Sequence, residues 1–211
     1  LTTVQTGGTD LTSQVWKDFA LTPPSVEAWM WFVGAVLISA VIIARGVQGG
    51  IEKANKVLIP SVYVILAILI LRVVTLPGAS KGLEFMFTID PAGFTNPDIW
   101  LRAYTQVAWS TGAGWGMFHV FYVYSAKDED IMLNSFTVAF GDTTAATLAG
   151  MVVIPAVFAL APDPMAVMKS GANGLTFVNL TNLFAHTTGG FILGILFFLA
   201  LFSAALSSVI A

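Results

Sequence analysis

The chain has 211 residues, 56% of them hydrophobic and 10% charged, with a formal net charge of −3. Its mean hydropathy is +0.83, and its charged share is far below the roughly 25% of soluble domains, so the composition is that of an integral membrane protein. Without a basic cluster it argues against a nucleic-acid partner, and without cysteine it offers neither disulfide nor thiolate site.

Residues 1–26 are polar, end in Thr22-Pro23-Pro24-Ser25, and read as an extracellular loop with Trp16 to Leu21 on the membrane surface. Apolar runs follow, each about the 20 residues that a spanning helix needs. The first, about 28–45, carries Trp29 and Trp31 as interfacial anchors. The second, about 57–76, has Pro60 in its first turn, where proline is tolerated, and stops at Pro77-Gly78. The third covers 99–124 and the fourth 131–161, closed by Pro162 and Pro164. A loop over 161–187 contains one short helical stretch, 177–184, and a fifth run occupies 188–211. The chain starts at Leu1 and stops inside that run, so the expectation is a segment of a longer protein, truncated at both ends. Residues 27–211 form one transmembrane domain, and the lipid bilayer is its first partner.

Lys and Arg in short loops set orientation. The first connector holds Arg45, Lys53 and Lys56, whereas 77–98 holds only Lys81 among lysines. The first connector is therefore expected to be cytoplasmic, together with Lys127-Asp128-Glu129-Asp130. The two long loops are then outside.

Three polar features break the apolar pattern. Asp142 lies about three turns into the fourth run, and an acid at a helix centre costs roughly 2.5–3.5 kcal/mol on insertion scales. The default reading is an ion site, proton relay or buried pair; the bland one is a shallow Asp in a wet crevice. Ser203, Ser207 and Ser208 form a hydroxyl set on the fifth run, with Ser203 and Ser207 on one face, and close helix packing is the rival reading. The third feature is "AWSTGAGWGMF", 108–118. Gly112 and Gly116 make a helix-contact pair, but Ser110, Thr111 and Gly114 are left over. Each glycine costs about 1 kcal/mol relative to Ala in a helix. Irregular backbone at membrane depth is tolerated only where it is buried in protein or lines a cavity, so a broken helix lining a site is the sharper reading. His119 and His186 stand alone. No run offers a nucleophile with a base, so an enzyme is not expected.

Three motifs in register carry a resemblance. "RGVQGGIEKANKVLIP" (45–60), "GWG" followed by "YVYSAKDEDIMLNSF" (114–136) and "GGFILGILFFLALFSAALSS" (189–208) resemble the neurotransmitter:sodium symporter family, from its fourth to its eighth helix. The resemblance implies an all-α, polytopic fold. It is part of a twelve-helix inverted-repeat transporter whose sixth helix is discontinuous. It also implies a plasma-membrane protein that uses sodium, needs no organic cofactor, and imports an amino acid or related amine. A non-transporting receptor-like or accessory protein of the same fold is the alternative.

Carried over residue by residue, the resemblance assigns Ser110 and Asp142 to the first sodium. Ala204, Ser207 and Ser208 fall to the second. Oxygen ligands of this kind suit a hard cation. Trp109, Ser110, Gly112, Trp115 and Ser208 fall to the substrate. Gln106 and Asp142 mark the equivalent of a chloride site. This sequence departs from the family in having Gly112 where Ser or Ala is usual, Asp142 for the usual Asn, and Ala146 where chloride-dependent members have Ser. A fixed carboxylate beside the first sodium can balance the charge that chloride balances elsewhere, which predicts chloride independence.

Overall fold

The computed structural model describes residues 8–21 and 25–210, most of them helical, with short turns and irregular links between the helices. Four helices among the described residues are long and apolar enough to cross a bilayer: Val26–Ile43, Val47–Val73 with its opening π-turn, Ile131–Leu160 and Gly190–Ile210. By packing the chain divides into two units, one of residues 1–86 and 150–211 and the other of 87–149. The Ile131–Leu160 helix contributes its first part to the second unit and its last part to the first.

The first unit opens with α1, Gly8–Trp16, followed by a π-helical turn, Lys17–Leu21. This stretch, read from the sequence as loop, folds because it has something to lie on. Trp16 stacks on Phe177 at 4.4 Å with the ring planes 2° apart. Ser25 then caps α2, Val26–Ile43, accepting from the Ala28 amide at 3.1 Å. After the π-turn Val47–Ile51 comes α3, Glu52–Val73. The charged residues ahead of the apolar run are therefore helical too. Lys56 pairs with Glu52 one turn earlier at 2.7 Å, and Pro60 sits inside the helix rather than in its first turn. The connector beyond α3 contains α4, Ala79–Phe87.

The tightest pairing in this unit joins α3 to α11, Gly190–Ile210. Each helix carries a row of buried residues. On α3 these are Ile65, Leu66, Leu69 and Val73; on α11 they include Leu193, Gly194, Phe197, Ala200, Ser203 and Leu206, with Phe197 meeting Phe184 of the 181–185 helix. Such i, i+3, i+4 spacing keeps one helical face on its neighbour. Lipid tails are as apolar as leucine, so this seam is held by packing more than by expulsion of water. Small residues let the backbones approach, and Arg72 closes the end of the seam by donating to the Thr188 carbonyl at 3.1 Å. Close approach also governs Gly82 on α4: a Cβ there would stand 2.6 Å from the Pro155 Cα. The segment read as a loop over 161–187 is mostly helical, with α8 at Pro164–Met168, α9 at Gly171–Asn173, a π-helical stretch at Gly174–Leu180 and α10 at Thr181–Ala185.

In the second unit a 3-10 turn, Pro91–Thr95, leads to α5, Pro97–Ser110. The next helix, α6, begins only at Met117 and ends at Val123. The apolar run 99–124 is thus two short helices, each too short to cross a bilayer alone. The discontinuous helix expected from the sequence is present. The unit also contains the start of α7, Ile131–Leu160, where Asp130 caps by accepting from the Leu133 amide at 2.9 Å.

Candidate functional site

The break between α5 and α6 is made by backbone stereochemistry. Gly112, Gly114 and Gly116 have φ of +67°, +82° and +80°, the left-handed region that side chains disfavour. The helical ladder ends in turns. The Thr111 amide still donates to Val107 O at 3.0 Å, while Trp115 N donates to Gly112 O at 3.1 Å. Thr111 also turns its hydroxyl back to Val107 O at 2.7 Å, occupying a carbonyl at the helix end. Sequence reasoning gave Thr111 no role, although a Thr just before a glycine break is a signal for this kind of capping.

Ser110 lies at the end of α5, and its hydroxyl donates to Asp142 Oδ2 on α7 at 2.9 Å. The two are 32 residues apart in sequence. Asp142 is half-buried and Ser110 is exposed within these described residues. A carboxylate accepting a hydroxyl proton keeps further lone pairs free on both oxygens, and the serine oxygen keeps its own. The pair is therefore a cluster of hard oxygen donors at a helix break.

Across the break Trp109 and Trp115 meet edge to face, with ring centroids 4.8 Å apart and planes at 78°, a favoured aromatic geometry. Gly112 is buried between them in sequence, and a Cβ there would come within 2.7 Å of the Met117 methyl. Gln106 stands one turn before Ser110 on α5 and lines an open hollow with Asp98, Arg102 and Thr105.

A second group lies on α11, in the other unit. Ser207 and Ser208 both donate to the Ala204 carbonyl, at 2.8 and 3.1 Å. Ser203 is separated from them: it is 5% exposed, so close packing accounts for it. Ala204 and Ser208 are exposed and Ser207 half-exposed. The structure thus brings together Ser110 with Asp142, Trp109 with Trp115, and Ala204 with Ser207 and Ser208. Of the histidines, His186 contacts the Asn182 carbonyl through Nδ1 at 2.8 Å, a local helix-end bond. No cluster of three or more His, Cys, Asp or Glu suited to a metal occurs among the described residues.

The pattern of the sodium:neurotransmitter symporter family matches residues 25–211. The chain belongs to the sodium:neurotransmitter symporter family. An uncharacterized sodium-dependent transporter of Methanocaldococcus jannaschii is 32% identical over 178 residues, 82% of this chain and 36% of that protein. The sodium-dependent nutrient amino acid transporter 1 of Drosophila erecta is 28% identical over 200 residues, 92% of this chain and 30% of that protein. Among solved structures, MhsT in complex with L-phenylalanine superimposes with a TM-score of 0.79 at 33% identity, covering 98% of this chain and 45% of that one. The chain thus spans about a third of the length of these curated relatives. It is an all-helical, multi-pass membrane protein of a symporter family, placed with transporters and not with enzymes.

Proposed function

We propose that the protein is a sodium-coupled symporter that imports an amino acid or a related amine across the plasma membrane without needing chloride. The observation that carries this reading is the Ser110–Asp142 hydrogen bond of 2.9 Å at the helix break. A carboxylate and a hydroxyl in hard-donor geometry favour an alkali or alkaline-earth cation over softer metals. In this reading Ser110 and Asp142 hold the first sodium. The Ala204 carbonyl, which has a second lone pair, holds the other with Ser207 and Ser208.

This reading gives the substrate Trp109, Ser110, Gly112 and Trp115 at the break and, separately, Ser208 on α11. The edge-to-face tryptophans suit an apolar or aromatic side chain, and two similar proteins, the sodium-dependent nutrient amino acid transporter 1 and MhsT in complex with L-phenylalanine, point the same way. Chloride is dispensable in this reading because Asp142 supplies a fixed negative charge beside the first cation. Gln106, one turn from Ser110, is left without an anion to bind. The connection holding Arg45, Lys53 and Lys56 is assigned to the cytoplasm on its positive charge.

The test is uptake by the full-length protein in proteoliposomes, driven by an imposed sodium gradient, against a panel of amino acids and amines. Accumulation of at least one that collapses when sodium is replaced by potassium is expected. Retention of the fold without accumulation of any panel member would point to a receptor-like protein instead.

A further inference from the structure

We propose that Asn55 on α3 is a positioning residue for the second sodium: it accepts the Ser207 hydrogen when the ion binds. The inference rests on Ala204, Ser207 and Ser208 holding that ion, as proposed above. In the structure Ser207 and Ser208 both donate to the Ala204 carbonyl, at 2.8 and 3.1 Å, and within α11 the same oxygen also serves the helix ladder. A carbonyl oxygen has two lone pairs, and a hydroxyl has one hydrogen to give. With both hydroxyl hydrogens on it, the Ala204 oxygen is not free to face a cation. A serine that ligates an ion does so through its oxygen and turns its hydrogen away. Each hydrogen therefore needs another acceptor once the ion is in place. Ser208 is exposed and can give its hydrogen to water. Ser207 is half-exposed, one turn after the buried Ser203 and flanked in sequence by the buried Leu206 and Ile210. On that side its hydrogen needs an acceptor from the protein.

Asn55 supplies one. Its Oδ1 is buried and has no hydrogen-bond partner among the described residues, an arrangement that native structures seldom leave without a reason. The atom is already enclosed, so a donor to it has to come from the elements that enclose it. Asn55 is 18 residues before Val73, about five full turns, so the two stand on one line along α3. Val73 is fully buried, and Leu66 and Leu69, also buried, lie close to the same line. Asn55 thus extends the buried row of α3, and α11 is the long helix against which α3 packs. The two helices run antiparallel from a common end, where Arg72 of α3 meets the Thr188 carbonyl just before α11. From that end Asn55 is roughly 26 Å along α3 and Ser207 roughly 28 Å along α11, level to within about one turn.

The test measures equilibrium binding of radioactive sodium to the purified full-length protein in detergent, with unfolding temperatures taken in sodium-free potassium buffer. Ser207→Ala defines the component of binding that belongs to the second site. Asn55→Leu, close in shape and without the acceptor, should weaken that component about three- to tenfold, the effect of one neutral hydrogen bond. Added to Ser207→Ala it should change nothing further. Asn55→Asp, which keeps an acceptor oxygen in either protonation state, should bind sodium at least as tightly as the unsubstituted protein. Because Oδ1 has no partner to lose, N55L should leave the sodium-free unfolding temperature unchanged or raise it. Asn55→Ala removes the same acceptor and keeps the test sound if leucine fits badly; it must show the same sodium loss. Unchanged sodium affinity in N55L and N55A, an equal loss in the S207A background, or the same loss from Ser203→Ala would each overturn Asn55 as the acceptor for Ser207. Absence of any Ser207-sensitive sodium binding in the unsubstituted protein overturns the second-sodium reading and this inference with it; Ser207-sensitive binding that N55L leaves untouched overturns this inference alone.

Discussion

The Ser110 hydroxyl donates to Asp142 Oδ2 at 2.9 Å, joining the end of a broken helix to the middle of the next long one. A hydrogen bond to a charged acceptor contributes about 1.5–3 kcal/mol. Ser110→Ala removes both the donor that orients the carboxylate and one oxygen of the proposed ion site. The expected result is a loss of apparent sodium affinity of roughly 10- to 100-fold, with protein yield unchanged, read from the sodium dependence of uptake by the full-length transporter. An unchanged sodium dependence would remove Ser110 from the site.

Asp142→Asn keeps the shape and removes the charge. The unsubstituted protein is expected to take up substrate equally well in chloride and in gluconate. The variant should be slow in gluconate and accelerated several-fold by chloride, because a mobile anion then replaces the lost fixed one. Indifference of the variant to chloride, with uptake retained, would count against charge balance as the role of Asp142.

Two glycines separate backbone crowding from side-chain crowding. At Gly82 an added Cβ lies 2.6 Å from the Pro155 Cα, and backbone cannot move aside cheaply; at Gly150 the obstacle is the Met86 methyl at 3.0 Å, the far end of a flexible side chain. Gly82→Ala should destabilise by about 1–3 kcal/mol, seen as a lower unfolding temperature in detergent. Gly150→Ala should change it little.

The Trp16–Phe177 stack, at 4.4 Å and 2°, holds α1 on the 171–185 segment. An aromatic pair adds about 0.5–1.5 kcal/mol beyond burial. Trp16→Ala should raise the rate of proteolytic cleavage within 171–185 by roughly two- to tenfold, and Phe177→Ala should do the same. The double variant should fall short of the sum of the two.

The long helices α2, α3, α7 and α11 were legible because hydropathy alone marks them. Their polar neighbours were not. The first turns of α3 are hidden by charge until Glu52 and Lys56 are seen as one i, i+4 pair. The short helices α1 and α4 are too polar or too short for a hydropathy run, and they owe their existence to partners distant in sequence, Phe177 for Trp16 and Pro155 for Gly82. The break was legible in its glycines, since three within five residues cannot sit comfortably in a helix. That Ser110 and Asp142 meet was not readable from either run by itself, because a contact across 32 residues depends on how α5 and α7 pack. Ser203 and Ser207 show the reverse limit. Their i, i+4 spacing suggests one common role, yet the small angular offset between them leaves the first buried and the second half-exposed.

The break in the helix has one more property. At Gly114 and Gly116 an added Cβ would meet nothing within 4 Å, although φ is +82° and +80°. Space is available at both positions, yet an L-residue is strained there by roughly 1–2 kcal/mol. What these positions reject is a hand and not a size: a D-alanine introduced by chemical synthesis satisfies the same backbone that an L-alanine opposes. The joint in the membrane helix is thus specified by chirality, and mutation within the L-amino acids has almost nowhere to go from glycine.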